Sequence, residues 1–164
     1  MIVVLMGVSG CGKTTVGVAL ASRLGWRFID ADDLHPPANV AKMAAGTPLT
    51  DEDRWPWLDR VAGELRDLLA RGEHAVLACS ALKAVYRERL ASAGNVRFVY
   101  LAGDRATIAE RIAPRQHRYM PATLLDSQFA ALEPPSGAIK IDVRLPVDAQ
   151  GAQIREALVV QAGR

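Results

Sequence analysis

Short apolar runs alternate along this chain with longer segments in which apolar residues recur at helical spacing. Residues 2–6, 27–29, 75–79, 97–101 and 139–143 read as strands. Residues 13–24, 38–45, 51–70, 82–93, 104–111, 123–132 and 147–160 read as helices. Five strands with helices between them predict an α/β domain on a parallel sheet with right-handed crossovers. Ligands of such sheets lie beyond the carboxyl ends of the strands. The informative residues are therefore 7–14, 30–35, 80–83 and 103–104. No repeat, low-complexity tract or linker divides the chain, so residues 1–164 are expected to form one domain, with a flap or lid at about 112–122 bounded by Pro114 and Pro121.

The composition narrows the function classes. With 164 residues, 50% of them apolar and 23% charged, the chain can bury one sizeable core. A net charge of +2 without a Lys/Arg block gives no reason to expect nucleic acid, and points to a small-molecule acceptor instead. The longest apolar runs are far short of a membrane span, and no basic segment precedes the first one. A cytoplasmic protein is the expectation. Cys11 and Cys79 read as small residues in a reducing compartment, not as a disulfide.

Between the first strand and the first helix runs Gly7-Val8-Ser9-Gly10-Cys11-Gly12-Lys13-Thr14. Its glycines let the backbone wrap and aim successive N–H groups at phosphate oxygens. The helix that opens near Gly12 adds its N-terminal dipole. Lys13 can reach the β and γ phosphates, the Thr14 hydroxyl can ligate Mg²⁺, and Thr15 can reach the α phosphate. The expectation is a nucleoside triphosphate bound in a P-loop. The dinucleotide pattern G-x-G-x-x-G is absent from the sequence.

Other strand ends carry further candidates. Asp30 and Asp32 stand two residues apart, so in extended chain both carboxylates point to one side. There they would hold a Mg²⁺-bound water or accept the proton of an attacking hydroxyl; alternatively Asp32 or Asp33 caps the next helix. Arg54 either grips an anionic substrate with its planar fork or pairs with Asp51 or Asp53 at the surface. Trp55 and Trp57 read as packing residues. Ser80 closes the third strand where many P-loop proteins place an aspartate, and Lys83 with Arg87 forms an i, i+4 cationic pair facing either the acceptor or solvent. Arg111, Arg115 and Arg118 bracket the flap, where they would either supply charge as the phosphoryl group leaves or form a solvated basic loop. His117 has no ligand partner at metal-site spacing, and His74 reads as structural.

These motifs together resemble the small gluconokinases over nearly the whole chain, from about Val3 to Leu145. The resemblance is carried by Gly7-Val8-Ser9-Gly10, Asp30-Ala31-Asp32, Leu34-His35-Pro36, Asn39 with Lys42-Met43, Gly46-Thr47-Pro48-Leu49 and Asp51 to Arg54 with Pro56-Trp57-Leu58. Cys79-Ser80-Ala81-Leu82-Lys83 with Tyr86-Arg87, Tyr100-Leu101-Ala102-Gly103, and Leu124-Leu125 through Ser127-Gln128-Phe129 to Leu132-Glu133 complete it. It implies a three-layer P-loop kinase fold like that of nucleoside monophosphate and shikimate kinases, often a homodimer, and transfer of the ATP γ-phosphoryl group to the 6-hydroxyl of D-gluconate. It also implies Asp30 at the Mg²⁺-bound water or the hydroxyl. Asp32, His35, Arg54 and Lys83 would line the acceptor pocket, Arg111 would lie along adenine, and Arg115 or Arg118 would reach the phosphates. The family runs Gly-His-aromatic in the flap, where this chain has His117-Arg118-Tyr119.

Two rivals follow from the same residues. A shikimate or nucleoside monophosphate kinase would share the fold, but shikimate kinases carry a Gly-Gly-Gly run where Cys79-Ser80-Ala81 stands. A nucleotide switch or regulatory module would need the guanine reader Asn-Lys-x-Asp, which is absent, and the one Asp-x-x-Gly, Asp148 to Gly151, lies far from the P-loop in sequence.

Overall fold

A computed structural model describes residues 1–113 and 122–163. Five parallel strands, β1 (Ile2–Met6), β2 (Arg27–Asp30), β3 (Ala75–Ala78), β4 (Val96–Ala102) and β5 (Ile139–Asp142), form one sheet in the order β2-β3-β1-β4-β5. The helices are α1 (Lys13–Leu24), α2 (Pro37–Ala44), α3 (Asp51–Ala70), α4 (Ala84–Ala91), α5 (Arg105–Ile112), α6 (Ala122–Ala131) and α7 (Val147–Ala162).

The central strand shows why the sheet is doubly covered. All five residues of β1 are buried, as a strand between two helical layers must be. Side chains alternate between faces. Val3 and Leu5 join Val76, Val99, Leu101 and Ile141 in one core with residues of α1, α5, α6 and α7. Ile2, Val4 and Met6 join Ala75 and Leu77 in the other, against Leu58, Val61, Leu65 and Leu68 of α3 and Tyr86 and Leu90 of α4. Three layers result, with the loops after β1, β2 and β3 at one edge.

The sequence pattern located every one of these strands and helices, and the differences lie at the ends. The helix expected over 82–93 begins only at Ala84, because Ala81 takes a left-handed φ of 46° and Lys83 stays extended as its N-cap. Asp30 and Asp32 would share one side only if the chain stayed extended through Asp32, and it does not. Instead Asp30 ends β2, and its carboxylate accepts the Asp32 N–H at 3.0 Å to start a 3-10 turn, Ala31–Leu34. Asp30 thus plays the capping part that the sequence offered to Asp32 or Asp33.

Candidate active site

The phosphate loop is shaped by its own backbone. Gly7 and Gly10 adopt φ of 146° and 83°. A Cβ on Gly10 would stand 2.6 Å from Ile112 Cγ1, and one on Gly7 would meet Cys11 Sγ at 2.8 Å and Leu101 O at 2.9 Å, so neither position tolerates a side chain. Gly12 precedes α1 without any side-chain cap, leaving the first N–H groups of the helix for an anion. Lys13 Nζ crosses the loop to Gly7 O at 2.9 Å and Val8 O at 3.0 Å. Thr14 and Thr15 are exposed on the first turn of α1. Val8 and Cys11 are buried beneath the loop, so they serve its floor through their side chains and the ligand only through their backbone. Gln128 of α6 grips Ser9 twice: its Oε1 accepts the Ser9 N–H at 2.6 Å and its Nε2 donates to Ser9 Oγ at 2.7 Å.

The candidate acceptor side begins at the β2 end. The Asp32 carboxyl is raised above the ordinary carboxylate range by desolvation in the cleft first and by the Asp30 charge second, with Lys13 opposing. Its side chain is nonetheless 83% exposed, so the shift reflects cleft walls on one side and not a closed pocket. Trp57 Nε1 donates to Ala31 O at 2.7 Å and holds the 3-10 turn, and the His35 ring stacks on Trp57 at 4.1 Å and 16°. Asn39 Nδ2 donates to Asp53 O at 2.9 Å and lies 3.2 Å from His35 Nδ1. A carbonyl only accepts, so that end of the Asn39 amide is NH₂, and Nδ1 is the acceptor. Burial first and the Arg54 charge second push the His35 pKa down, which keeps the ring neutral. The Nε2–H then points toward Asp32 Oδ1, 3.9 Å away.

The start of α3 supplies the next groups. Asp53 closes a capping box with Thr50 and pairs with Lys42 at 2.7 Å, and the Lys42 bond leads the causes that depress its carboxyl to about 2. Asp51 accepts from Tyr86 Oη and from Lys83 Nζ at 3.1 Å, and these bonds lower its pKa while the Asp51 bond raises that of Lys83. Both acidic neighbours of Arg54 are thereby engaged elsewhere. Arg54 donates to Leu49 O at 2.7 Å and stands 5.7 Å over the Tyr86 ring, with no carboxylate partner among the described residues. Of the two sequence readings, surface pairing with Asp51 or Asp53 does not occur.

Some proposed neighbours stand apart. Arg87 does not join Lys83: its Nη1 donates to Ala81 O at 2.8 Å and Leu82 O at 3.0 Å, and its Nη2 to Glu133 O at 2.9 Å. Its guanidinium is occupied in holding the β3–α4 turn. Ser80 lies on that turn, half-buried, and its carbonyl accepts the Gly7 N–H at 3.2 Å, which joins the turn to the phosphate loop. Arg111, in the last turn of α5, donates to Val143 O beyond β5, the region where Gln150 Nε2 also holds Leu145 O at 2.8 Å. Arg115, Arg118 and most of the proposed lid lie outside the described residues. Cys11 and Cys79 are buried and unbridged, and burial pushes the Cys79 thiol up to about 12, which makes it unreactive.

Sequence reasoning gave no role to Gln128, Tyr86, Asn39 or Glu133, although each stands in a motif that carried the family resemblance, and it offered Asp51 only as a partner of Arg54. The alternation of burial that marks a core face carries no trace of a bond between Ser9 and a residue 119 positions away.

No described helix is long and apolar enough to cross a membrane. No three His, Cys, Asp or Glu side chains gather as a metal cage among the described residues. A Mg²⁺ that keeps its waters and takes other ligands from phosphates needs none; the Thr14 hydroxyl and the Asp30 carboxylate are hard oxygen donors of the kind it accepts.

A family model described as an AAA domain matches residues 2–135. The chain is 52% identical over 133 residues to the gluconokinase of Gluconobacter oxydans (strain 621H), covering 80% of this chain and 75% of that one. It is 42% identical over 188 residues to the probable gluconokinase of Xenopus tropicalis, covering 100% and 99%. The crystal structure of a gluconokinase from Sinorhizobium meliloti 1021 superimposes with a TM-score of 0.80 at 42% identity, over 97% of this chain and 95% of the other. The shikimate kinase of Aquifex aeolicus vf5, at a TM-score of 0.57 and 16% identity over 99% and 98%, shares the fold alone. With relatives of this identity spanning nearly its whole length, and a P-loop followed by a doubly covered parallel sheet, the chain belongs to the gluconokinase family of P-loop kinases.

Proposed function

We propose that this chain, acting as one domain over residues 1–164, transfers the γ-phosphoryl group of ATP to the 6-hydroxyl of D-gluconate. The observation that carries the acceptor assignment is Arg54. Its guanidinium is free of the two carboxylates beside it and lies close enough to His35, Asp51 and Tyr86 to act on their ionisation. A planar fork with open donors at the acceptor side suits a sugar-acid carboxylate. His35 Nε2–H and Lys83 add donors for hydroxyls along the sugar chain.

On the nucleotide side, the loop N–H groups and Lys13 gather the charge of the β and γ phosphates, and Arg111 lies along the base. Thr14 and, through a water, Asp30 would hold Mg²⁺, which would supply further neutralisation of the phosphates. Catalysis of this reaction is mostly positioning and charge stabilisation. Asp30 has one oxygen tied to the Asp32 N–H, whereas the Asp32 carboxylate accepts no backbone bond among the described residues and is raised in pKa, so Asp32 receives the proton as the hydroxyl oxygen bonds to phosphorus and the bond to ADP breaks. Arg115 and Arg118 complete the charge on the departing phosphoryl group. A homodimer in the cytoplasm is the working context.

The test is ADP release from ATP and Mg²⁺ with D-gluconate, shikimate, a set of nucleoside monophosphates, or no acceptor. Turnover with gluconate alone is expected. Turnover with another acceptor would keep the kinase and discard the substrate; ATP binding with no turnover anywhere would favour a regulatory module.

A further inference from the structure

Helix α6 touches two loops that the reaction needs in fixed places. At its middle, Gln128 clasps Ser9 by backbone and side chain together. A carboxamide supplies an acceptor for the N–H and a donor for the hydroxyl at once without adding charge beside the phosphates. Past its C-terminal end, Glu133 N–H donates to Leu82 O at 2.8 Å, and Glu133 Oε1 accepts the Ala84 N–H at 2.9 Å. Helix α4 has no side-chain cap of its own, so this carboxylate from a distant segment satisfies its first turn and complements its dipole. The Glu133 carbonyl in turn accepts from Arg87 Nη2, while Arg87 Nη1 holds Ala81 O and Leu82 O.

The turn held in this way is the strained one. Ala81 is the only non-glycine residue at positive φ among those described, and such a conformation persists only where its surroundings over-determine it. Lys83 follows it and bonds to Asp51 on the acceptor side. The Ser9 clasp and the Glu133 cap are thus carried on one short stretch of chain, itself tied to α5 by the ion pair between Asp126 and Arg105.

We propose that α6 with Glu133 is a brace with divided duties. Gln128 is a positioning residue for the phosphate loop, and Glu133, through Arg87 and the α4 N-terminus, positions the acceptor turn that carries Lys83. The acceptor half rests on the gluconate reading; the phosphate half does not. The brace predicts a split in Michaelis constants that loss of general stability would not produce.

The test compares Gln128→Leu, Glu133→Ala and Glu133→Gln with wild type by ADP calorimetry, Michaelis constants for ATP and gluconate, and the thermal midpoint. Gln128→Leu is expected to weaken ADP binding and raise the ATP constant about tenfold, the worth of one to two neutral hydrogen bonds, with the gluconate constant within about twofold of wild type. Glu133→Ala is expected to raise the gluconate constant several-fold and leave ADP affinity unchanged, while Glu133→Gln, which keeps the acceptor for Ala84 N–H, restores it. Equal movement of both constants in either variant, or no movement in either, overturns the brace. Should gluconate prove not to be the acceptor, ADP affinity in Gln128→Leu still decides the phosphate half on its own: unchanged affinity there overturns it.

Discussion

The phosphate loop is carried on eight consecutive residues, Gly7 to Thr14, shaped by backbone conformation over a buried floor and clasped from outside at Ser9 by Gln128. The acceptor side draws Asp32 and His35, Asp51 and Arg54, and Lys83 and Tyr86 from three separate segments and joins them through side-chain bonds. The first presents N–H donors of fixed charge that no pH change removes. The second is a partly exposed network of carboxylates, amines and a neutral imidazole, whose geometry depends on which groups are ionised. On the proposed reading, a nucleotide common to many kinases is held by the part that varies least with conditions, and the choice of acceptor is left to the part that point substitutions can retune.

Breaking the phosphate side has the largest expected effect. Lys13→Ala removes the one side-chain charge inside the loop and should lower kcat by on the order of 10³-fold, with the gluconate Michaelis constant little changed; single-turnover phosphoryl transfer measures it. Asp32→Asn tests the proton acceptor and should lower kcat by about 10²-fold or more. In the wild type the reactive form of Asp32 is deprotonated and its pKa is raised. The acid limb of kcat/KM for gluconate should therefore lie above the ordinary aspartate value of 3.8, and the limb should vanish from the residual rate of Asp32→Asn.

Arg54→Lys keeps the charge and loses the fork. The gluconate constant should rise by about tenfold while the ATP constant holds, a split read from initial rates. The smallest effect is on folding. Thr50→Ala opens the capping box of α3 and should cost about 1 kcal/mol in urea unfolding. Asp53, depressed to about 2 against 3.8, adds stability that is complete above 3.8 and lost as pH falls from there through 2. Asp53→Asn should accordingly be less stable than wild type at neutral pH and converge with it over that window.

Legibility in the sequence followed the same division. The P-loop could be read residue by residue because its phosphate donors are consecutive, the strands because a sheet covered on both faces makes them short apolar runs, and the helices because burial of one face imposes a period of 3.6. Arg54 was left between two readings, since nothing in Asp51-Glu52-Asp53-Arg54 says that Lys83 and Lys42 occupy the carboxylates. The spacing of Asp30 and Asp32 left the backbone open, because a carboxylate that bonds two residues ahead looks in sequence like two residues on one strand face. Arg87 resembled a partner of Lys83 because i, i+4 spacing fixes a shared face only inside a helix, and Lys83 stands at the N-cap.

The most direct test of a carboxylate-reading acceptor side beside a general phosphate side is kcat/KM for D-gluconate against D-glucitol, which keeps the chain of hydroxyls and lacks the carboxylate. A site built to bond a charged group should reject the analogue by on the order of 10³-fold or more, with the ATP constant unmoved. Comparable turnover of glucitol would contradict the account, because Arg54 would then be doing something other than holding the acid.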